Sequence, residues 1–222
     1  MTRDLFADDD LPELADEPLA DGAVVLRGFA LARADALGRA LAQVVAAAPF
    51  RHLVTPGGYT MSVAMTNCGP LGWVSDRRGY RYDGLDPQTG APWPPMPDAF
   101  RALARDAAAR AGYAGFAPDA CLVNRYVPGA RLSMHQDRDE KDLRAPIVSV
   151  SLGLPATFAW GGDQRADRAR RVPLRHGDVV VWGGPSRLRY HGVLALAEGE
   201  HPFAGGVRIN LTFRKVLGHK SA

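Results

Sequence analysis

The sequence predicts a mostly β fold of the α+β class, with helices in the first half and a sandwich or barrel of short strands in the second. Two segments of helical composition end by Tyr113, and short apolar strands separated by glycine and proline turns fill the chain from Cys121 onward. Many short strands broken by such turns are typical of a sandwich or barrel. A chain of 222 residues can bury a sizeable core within one domain.

The first elements are an acidic tail, a strand and a helix. Residues 1–21 contain eight acidic side chains and one basic side chain, a composition that predicts a flexible tail. Ala23–Leu26 is apolar and precedes a glycine, so it is predicted to form a short strand. Ala34–Ala48 is rich in alanine and leucine, which favours a helix.

The middle of the chain is predicted to hold a strand, a long ordered loop and a second helix. Tyr59–Thr66 follows two glycines and is predicted to be a strand. Residues 67–97 are rich in Gly, Pro, Asp and aromatic side chains, which indicates a loop with a hairpin near Tyr80–Tyr82. The second helix is expected from Pro97 to Tyr113, because proline is tolerated at the start of a helix.

Six further strands complete the predicted elements. Each is short and is bounded by turn residues. They are Cys121–Val127, Ile147–Leu154, Thr157–Trp160, Asp178–Trp182, Leu188–Val193 and Val207–Val216. A single domain is therefore expected over residues 22–216, followed by a C-terminal tail at residues 217–222.

Composition limits the classes of function. No apolar run is long enough to span a membrane, so membrane association is not expected. The acidic start lacks the pattern of a signal peptide, and two cysteines are too few for a disulfide framework, so a cytoplasmic location is expected. Residues 22–222 carry 26 basic and 16 acidic side chains, a balance that attracts polyanions. A coding bias toward arginine would produce the same balance, so it supports nucleic-acid binding only weakly.

The segment Val207–Arg214 alternates apolar and polar residues without exception. Such alternation is the signature of a strand with unlike faces, and the polar face would carry Arg208, Asn210, Thr212 and Arg214. A solvated outer face is the usual explanation. However, this face has two guanidinium groups and no acid to pair with them, and a guanidinium forms a two-point fork with a carboxylate. We therefore expect this strand to hold an organic acid.

A metal site is predicted from two histidines and one aspartate. His135 and Asp137 lie at i and i+2, which places them on one face of a strand, and His191 could complete the set. Two histidines and one carboxylate leave three metal positions open, as in non-haem Fe(II) oxygenases. The competing explanation is a surface turn in a charged run. A second triplet, His176-Gly177-Asp178, is interpreted as a tight turn because of its glycine.

Several motifs in order are similar to those of the AlkB family of alkylated-nucleic-acid demethylases. The resemblance extends from about Gly57 to Arg214, and the segments at 65–69, 71–73, 86–89 and 147–153 are similar to bacterial members in particular. The strongest motifs are Asn124–Gly129, His135-Gln136-Asp137, His191 and Arg208–Arg214.

This resemblance implies a double-stranded β-helix, or jelly roll, at about residues 121–216, with the N-terminal helices packed outside and a nucleotide-recognition lid at about residues 55–85. It also implies an Fe(II)/2-oxoglutarate-dependent dioxygenase that uses O₂. The implied iron ligands, which are also the catalytic residues, are His135, Asp137 and His191. The implied 2-oxoglutarate contacts are Arg208 with Asn124 and Tyr126 at the far carboxylate, and Arg214 with Asn210 near the carboxylate that chelates iron.

The resemblance also implies a substrate. Such an enzyme demethylates N-alkylated bases such as 1-methyladenine and 3-methylcytosine by direct reversal, releasing formaldehyde, succinate and CO₂. A base must be flipped out of a duplex or presented on single-stranded DNA, and RNA is a further candidate. The implied substrate contacts are Trp73 as a stacking wall, Tyr80, Thr55, Tyr59 and Met61 in the lid, Asp139 and Glu140 at the base, and Arg165 on the phosphate path.

Alternatives remain at several of these positions. Trp73 could equally belong to the core, the sequence alone favours a core position for Met65 over the lid, and Glu140 could be a solvated charge. Arg131, Gln136 and Arg138 could continue the phosphate path, whereas the arginine cluster at residues 165–175 is by default a solvated surface. Two other functions stay open, namely a hydroxylase of a small molecule or protein and a non-enzymatic jelly-roll binding module. A monomer is expected.

Overall fold

Two antiparallel sheets, of eight and four strands, face each other in the computed structural model, which describes residues 15–218. The strands and α-helices are β1 (Glu17–Ala20), β2 (Ala23–Leu26), α1 (Ala34–Ala47), β3 (Arg51–Val54), β4 (Thr60–Cys68), β5 (Gly72–Asp76), β6 (Gly79–Asp83), α2 (Asp98–Arg110), β7 (Ala120–Tyr126), β8 (Leu132–His135), β9 (Ile147–Gly153), β10 (Ala156–Trp160), β11 (Arg170–Leu174), β12 (Val179–Trp182), β13 (His191–Val193) and β14 (Arg208–Arg214). The larger sheet has the order β1-β2-β12-β9-β14-β7-β4-β3, the smaller has the order β11-β10-β13-β8, and β5 and β6 form a separate hairpin. The predicted mostly β fold with a jelly-roll core is confirmed.

Both helices cover the outer face of the larger sheet. Leu37 and Val44 of α1 and Phe100 of α2 are buried in one cluster with Leu211 and Phe213 of β14. The Phe100 and Phe213 rings meet edge to face at 5.9 Å, a favourable geometry for aromatic pairs. Because the side chains of a strand alternate between faces, the polar residues of β14 must point the other way, between the two sheets. Neither α-helix within residues 15–218 has the length and apolar content needed to cross a membrane.

A second apolar cluster fills the space between the sheets. Val25 and Val180 from the larger sheet pack there with Phe158 and Val193 from the smaller one. Phe158 and Val193, together with Tyr126 of β7, also line a cavity that opens between the sheets. The apolar cluster thus forms part of the wall of this cavity.

The main elements confirm the sequence-based expectations, with differences at their ends. The second helix ends at Arg110, and Gly112 follows in the left-handed region with φ of 90°, a conformation that terminates helices. The strand expected from Leu188 begins only at His191. The prediction did not include strands β1, β3, β8 and β11. These strands are only four or five residues long and lie at or near sheet edges, where the apolar pattern is weak.

The predicted acidic tail at residues 1–21 is wrong at its C-terminal end. Glu17–Ala20 pair with Ala23–Leu26 as an antiparallel hairpin. The Glu17 carboxylate forms ion pairs with both Arg27 and Arg170, so this segment joins an edge of the larger sheet to an edge of the smaller one. The rest of the tail, residues 1–14, and residues 219–222 of the C-terminal tail lie outside the described residues.

The triplet His176-Gly177-Asp178 forms the predicted tight turn, with φ of 84° at Gly177. The Asp178 carboxylate accepts hydrogen bonds from the backbone N–H groups of Gly28 and Arg175, both at 2.9 Å, and from Arg27 at 2.6 Å. Asp178 is almost fully buried. Its role is therefore to tie the turn to the strand pair at the edge of the larger sheet.

Replacing this aspartate tests that role. Asp178→Ala should lower the free energy of unfolding by about 3–5 kcal/mol, because it leaves two backbone donors without their acceptor and removes one of the two carboxylates that pair with Arg27. Urea denaturation followed by circular dichroism measures the loss. Asp163→Ala is a matched control because its side chain is 76% exposed, and it should change little. Equal stability of the two variants would contradict the assignment.

Candidate active site

A cavity of about 830 Å³ opens between the two sheets and under the β5–β6 hairpin. It contains every site residue predicted from the sequence except Glu140. The predicted residues that line it are Thr55, Tyr59, Met61, Trp73, Tyr80, Asn124, Tyr126, His135, Asp137, Asp139, Arg165, His191, Arg208, Asn210 and Arg214. Arg131, Gln136 and Arg138 also line this cavity. One site therefore brings together residues that are up to about 160 positions apart in the chain.

Two histidines and one aspartate meet at the end of the smaller sheet. His135 ends β8 and His191 begins β13, and the two are paired directly across the strands. Asp137 lies two residues beyond the end of β8, so the expectation that it shares a strand face with His135 is wrong. Nε2 of His135 lies 3.6 Å from Asp137 Oδ1, and Nε2 of His191 lies 3.8 Å from Oδ2. One ligand atom from each residue falls within 4.8 Å of the other two, as a single metal ion requires.

The hydrogen bonds of both imidazoles orient them for metal binding. Nδ1 of His135 lies 2.9 Å from the carbonyl of Ser133, and Nδ1 of His191 lies 3.0 Å from the carbonyl of Arg189. A carbonyl can only accept, so Nδ1 carries the proton in each ring and the Nε2 lone pair faces Asp137. Metal-binding histidines commonly hold their rings in this way.

Electrostatics keep the metal-binding groups in their ligand forms. Burial, reinforced by nearby His135, lowers the pKa of His191 to about 4, so this imidazole is neutral near pH 7. Burial alone would raise the pKa of Asp137, but Arg214 and the two histidines outweigh it and lower that pKa below its usual value. Metal ions bind neutral imidazole and ionised carboxylate, so no proton must leave His191 or Asp137 before a metal binds.

Arg208 lies deep in the cavity, and two of its hydrogen-bond donors have no partner among the described residues. Its side chain is almost fully buried, and its Nη2 donates to Ser151 Oγ at 2.9 Å while the guanidinium lies 5.1 Å from the Tyr126 ring. Nε and Nη1, together with Oδ1 of Asn124, find no partner within residues 15–218. Buried unpaired donors of a cation are costly. A carboxylate would accept from Nε and Nη1 of Arg208, so these two donors fit one end of 2-oxoglutarate.

The other end of the same strand lies beside the metal ligands. Arg214 donates from Nε and Nη2 to Asp137 Oδ2, at 3.0 and 2.8 Å. Asn210 lies between the two arginines, and its amide donates to Ser149 Oγ and to the carbonyl of Val150. A dicarboxylate that reached from Arg208 to Arg214 would place one carboxylate next to the metal. The inner face of β14 is thus suited to hold an organic acid and not to face solvent.

The β5–β6 hairpin covers the cavity with aromatic side chains. The rings of Trp73 and Tyr80 stack at 5.6 Å with only 14° between their planes. Trp73 is fixed further by its indole N–H, which donates to Asp139 at 3.2 Å, and by backbone hydrogen bonds with the Asn67 amide. Tyr59 stands at the mouth with 78% of its surface exposed. An aromatic platform in this position can stack against a flat ring.

Glu140, which was predicted to contact a base, is held by other side chains of the protein in this structure. Glu140 is buried and does not line the cavity. Its carboxylate accepts from Arg187 at 3.0 Å and from the Tyr82 hydroxyl at 2.6 Å, and lies 3.4 Å from Nε of Arg214. Burial raises the pKa of Tyr82 well above its usual value, so this phenol stays protonated and donates. The alternative of a solvated charge at Glu140 is excluded.

Several residues at or beside the site were not predicted. Ser149 and Ser151 alternate on the inner face of β9, and this period of two in an apolar strand was the signal that could have identified them. Arg187 offers no such signal, since it is one of many arginines. Met65 is almost fully buried and belongs to the core as well as to the cavity wall.

Comparisons with known proteins agree with this geometry. The family model of the 2OG-Fe(II) oxygenase superfamily matches residues 22–214. The chain is 61% identical over 212 residues to alpha-ketoglutarate-dependent dioxygenase AlkB of Escherichia coli strain K12, covering 96% of this chain and 97% of that one. It is 48% identical over 182 residues to an AlkB homolog of Caulobacter vibrioides strain NA1000 / CB15N, covering 80% and 81% of the two chains.

A solved structure is similar over most of the chain as well. The structure of OsALKBH1 superimposes with a TM-score of 0.78 at 30% sequence identity, and the match covers 90% of this chain and all of that one. The superfamily model, the identity to the two bacterial proteins and the metal and organic-acid geometry all lead to one assignment. The chain belongs to the AlkB family of alpha-ketoglutarate-dependent dioxygenases within the 2OG-Fe(II) oxygenase superfamily.

Proposed function

We propose that this chain oxidatively demethylates N-alkylated bases of the 1-methyladenine and 3-methylcytosine type in single-stranded DNA, with RNA as a further candidate substrate. One observation carries the proposal. The metal-binding residues, the arginines of β14, the stacked aromatic pair and the arginines at the rim all open into the same cavity. A dioxygenase of a small molecule needs the first two features but has no need of an aromatic platform with a cationic rim.

Each feature has a task in this reaction. His135, Asp137 and His191 would hold Fe(II), and Arg208 and Arg214 would bind the two ends of 2-oxoglutarate. When bound, these groups supply the oxidation, in which O₂ and 2-oxoglutarate yield succinate and CO₂ and the N-methyl carbon leaves as formaldehyde. The protein binds, orients and shields the reactants from water.

The mouth of the cavity suits an alkylated base on a strand. Bases methylated at these ring nitrogens are cationic, so the Asp139 carboxylate beside Trp73 favours them electrostatically. Trp73 offers the stacking surface, and a base flipped out of a duplex or taken from a single strand can reach it. Arg165, whose guanidinium lies 5.5 Å from the Tyr190 ring, and Arg138 would contact phosphates. A monomer is proposed as the active form, because no role in this proposal needs a residue from a second copy of the chain.

The metal assignment is tested by alanine variants of the two His-x-Asp sequences. His191→Ala, His135→Ala or Asp137→Ala should abolish Fe(II)-dependent turnover, because each removes one of three ligands. His176→Ala is the control and should remain active, since His176 lies in a turn outside the cavity. Anaerobic reconstitution with Fe(II), followed by mass spectrometry of a single strand carrying 1-methyladenine or 3-methylcytosine, measures turnover. An inactive His176→Ala beside an active His191→Ala would reverse the assignment.

Arg208→Lys tests the organic-acid site. Lysine keeps the charge but loses the planar fork, so the apparent 2-oxoglutarate requirement should rise at least several-fold. Affinity for nucleic acid should stay the same. The matched control is Arg125→Lys, because Arg125 is exposed on the neighbouring strand β7. Titration of succinate release against 2-oxoglutarate gives the requirement, and an equal effect on strand binding would show that Arg208 is not dedicated to the organic acid.

The nucleic-acid assignment is tested at Trp73 and Arg165. Trp73→Ala should weaken binding of a methylated single strand by about 1–3 kcal/mol, the contribution of one base–aromatic stack. Metal binding should remain intact. Arg165→Ala should weaken binding of methylated and plain strands alike and reduce the salt dependence, because phosphate contacts carry no base information.

Fluorescence anisotropy at several salt concentrations measures both effects. Arg105→Ala is the matched arginine control, since Arg105 is exposed on α2. If Trp73→Ala left affinity unchanged and binding showed no salt dependence, a hydroxylase of a small molecule or protein would be the better assignment.

A further inference from the structure

Asp137 is a proposed metal ligand that no β-strand holds in place. Strand β8 ends at His135 and β9 begins only at Ile147, so this metal ligand lies in a connecting segment and not in a sheet. Loops are ordinarily more mobile than the strands that they join. A metal site nevertheless needs its ligands held close to the productive geometry. Other side chains must therefore fix this segment.

Arg187 is in the right place to fix it. Its side chain is buried, and its guanidinium donates to three acceptors, namely the Asp137 carbonyl at 2.6 Å, the Ala145 carbonyl at 3.0 Å and Glu140 Oε2 at 3.0 Å. These contacts fix the segment at its start, middle and end. Lysine could not reproduce them, because only a guanidinium presents donors in a planar fork.

Glu140 supports the metal ligand Asp137 through Arg214. Its Oε1 lies 3.4 Å from Nε of Arg214, the same guanidinium that donates to the Asp137 carboxylate. Asp137, Glu140, Arg187 and Arg214 together carry two charges of each sign, so the buried group is balanced. If Asp137 also binds a divalent cation, the Glu140 carboxylate still pairs with Arg214 and keeps this guanidinium in place.

We propose that Arg187 and Glu140 are positioning residues for the metal centre. Arg187 fixes the backbone of Asp137, and Glu140 holds Arg214 against the Asp137 carboxylate. Neither side chain lines the cavity. The inference concerns metal binding alone and does not depend on which substrate the enzyme oxidises, so its failure and that of the proposed function are separable.

The test is metal affinity of the full chain, with Mn(II) as the probe and free Mn(II) measured by electron paramagnetic resonance. Arg187→Lys and Glu140→Gln should each weaken Mn(II) binding by about 10–100-fold, the usual effect of removing a residue that supports a metal ligand. Arg144→Lys is the matched control. Arg144 lies in the same connecting segment and pairs with Asp142, but its side chain is 78% exposed. Its Mn(II) affinity should match that of the unchanged protein.

Circular dichroism and thermal unfolding of the metal-free variants separate positioning from stability. A purely structural pair would lower the unfolding temperature and leave the Mn(II) affinity of the folded protein unchanged, and this result would overturn the proposal. If Arg187→Lys fails to fold, the Mn(II) affinities of Glu140→Gln and of the milder variant Tyr82→Phe test the proposal. Tyr82→Phe removes one hydrogen bond from Glu140 and should weaken Mn(II) binding by a smaller factor than Glu140→Gln. Unchanged affinity in both would likewise overturn the proposal.

Discussion

The buried ion pair between Arg214 and Asp137 determines how the two halves of the sandwich meet. Arg214 ends β14, an interior strand of the larger sheet, and Asp137 follows β8 at the edge of the smaller sheet. Removing two charges from water is unfavourable, and it is tolerated only where the geometry is good and further hydrogen bonds complete the arrangement. Here two N–H groups converge on one carboxylate oxygen, and Glu140 and Arg187 complete the network. The pair therefore places the metal ligand beside the organic-acid strand.

Much of the fold and the organic-acid strand of the site could be predicted from the sequence, because they depend on local periodicity. The alternation of Val207–Arg214 identified a strand and the face that carries its arginines. The glycine of His176-Gly177-Asp178 marked that triplet as a turn. The choice of His135 and Asp137 as metal ligands rested on the family resemblance, since Asp137 lies beyond the end of β8. Most lid residues were identified by resemblance and not by periodicity, since Tyr59 or Tyr80 alone carries no local signal.

The remaining features depend on contacts between distant residues. Glu140 and Arg187 are 47 positions apart, and nothing in either neighbourhood shows which of many charges will meet in the interior. Strand β1 was interpreted as tail because its sequence is acidic, yet Glu17 is held by Arg27 and Arg170 from elsewhere in the chain. Strand β11 was interpreted as a charged surface for the same reason, since only alternate positions such as Val172 are buried. Edge strands expose one side, so their sequences resemble loops.

The β5–β6 hairpin has an evolutionary consequence. It forms its own two-stranded sheet, outside the two sheets that hold the metal ligands, and a hairpin of this size has little stability of its own. Its anchors are the Asn67 amide, the Asp139 carboxylate, the Tyr82 hydroxyl on Glu140, the Ser75 hydroxyl on the Val54 carbonyl, the Trp93 indole on the Asp83 carbonyl and the buried Val74 side chain. Exchange of the remaining hairpin side chains would alter which molecules are accepted without disturbing the oxidative centre. Substrate range can therefore diverge among homologues while the iron chemistry is inherited unchanged.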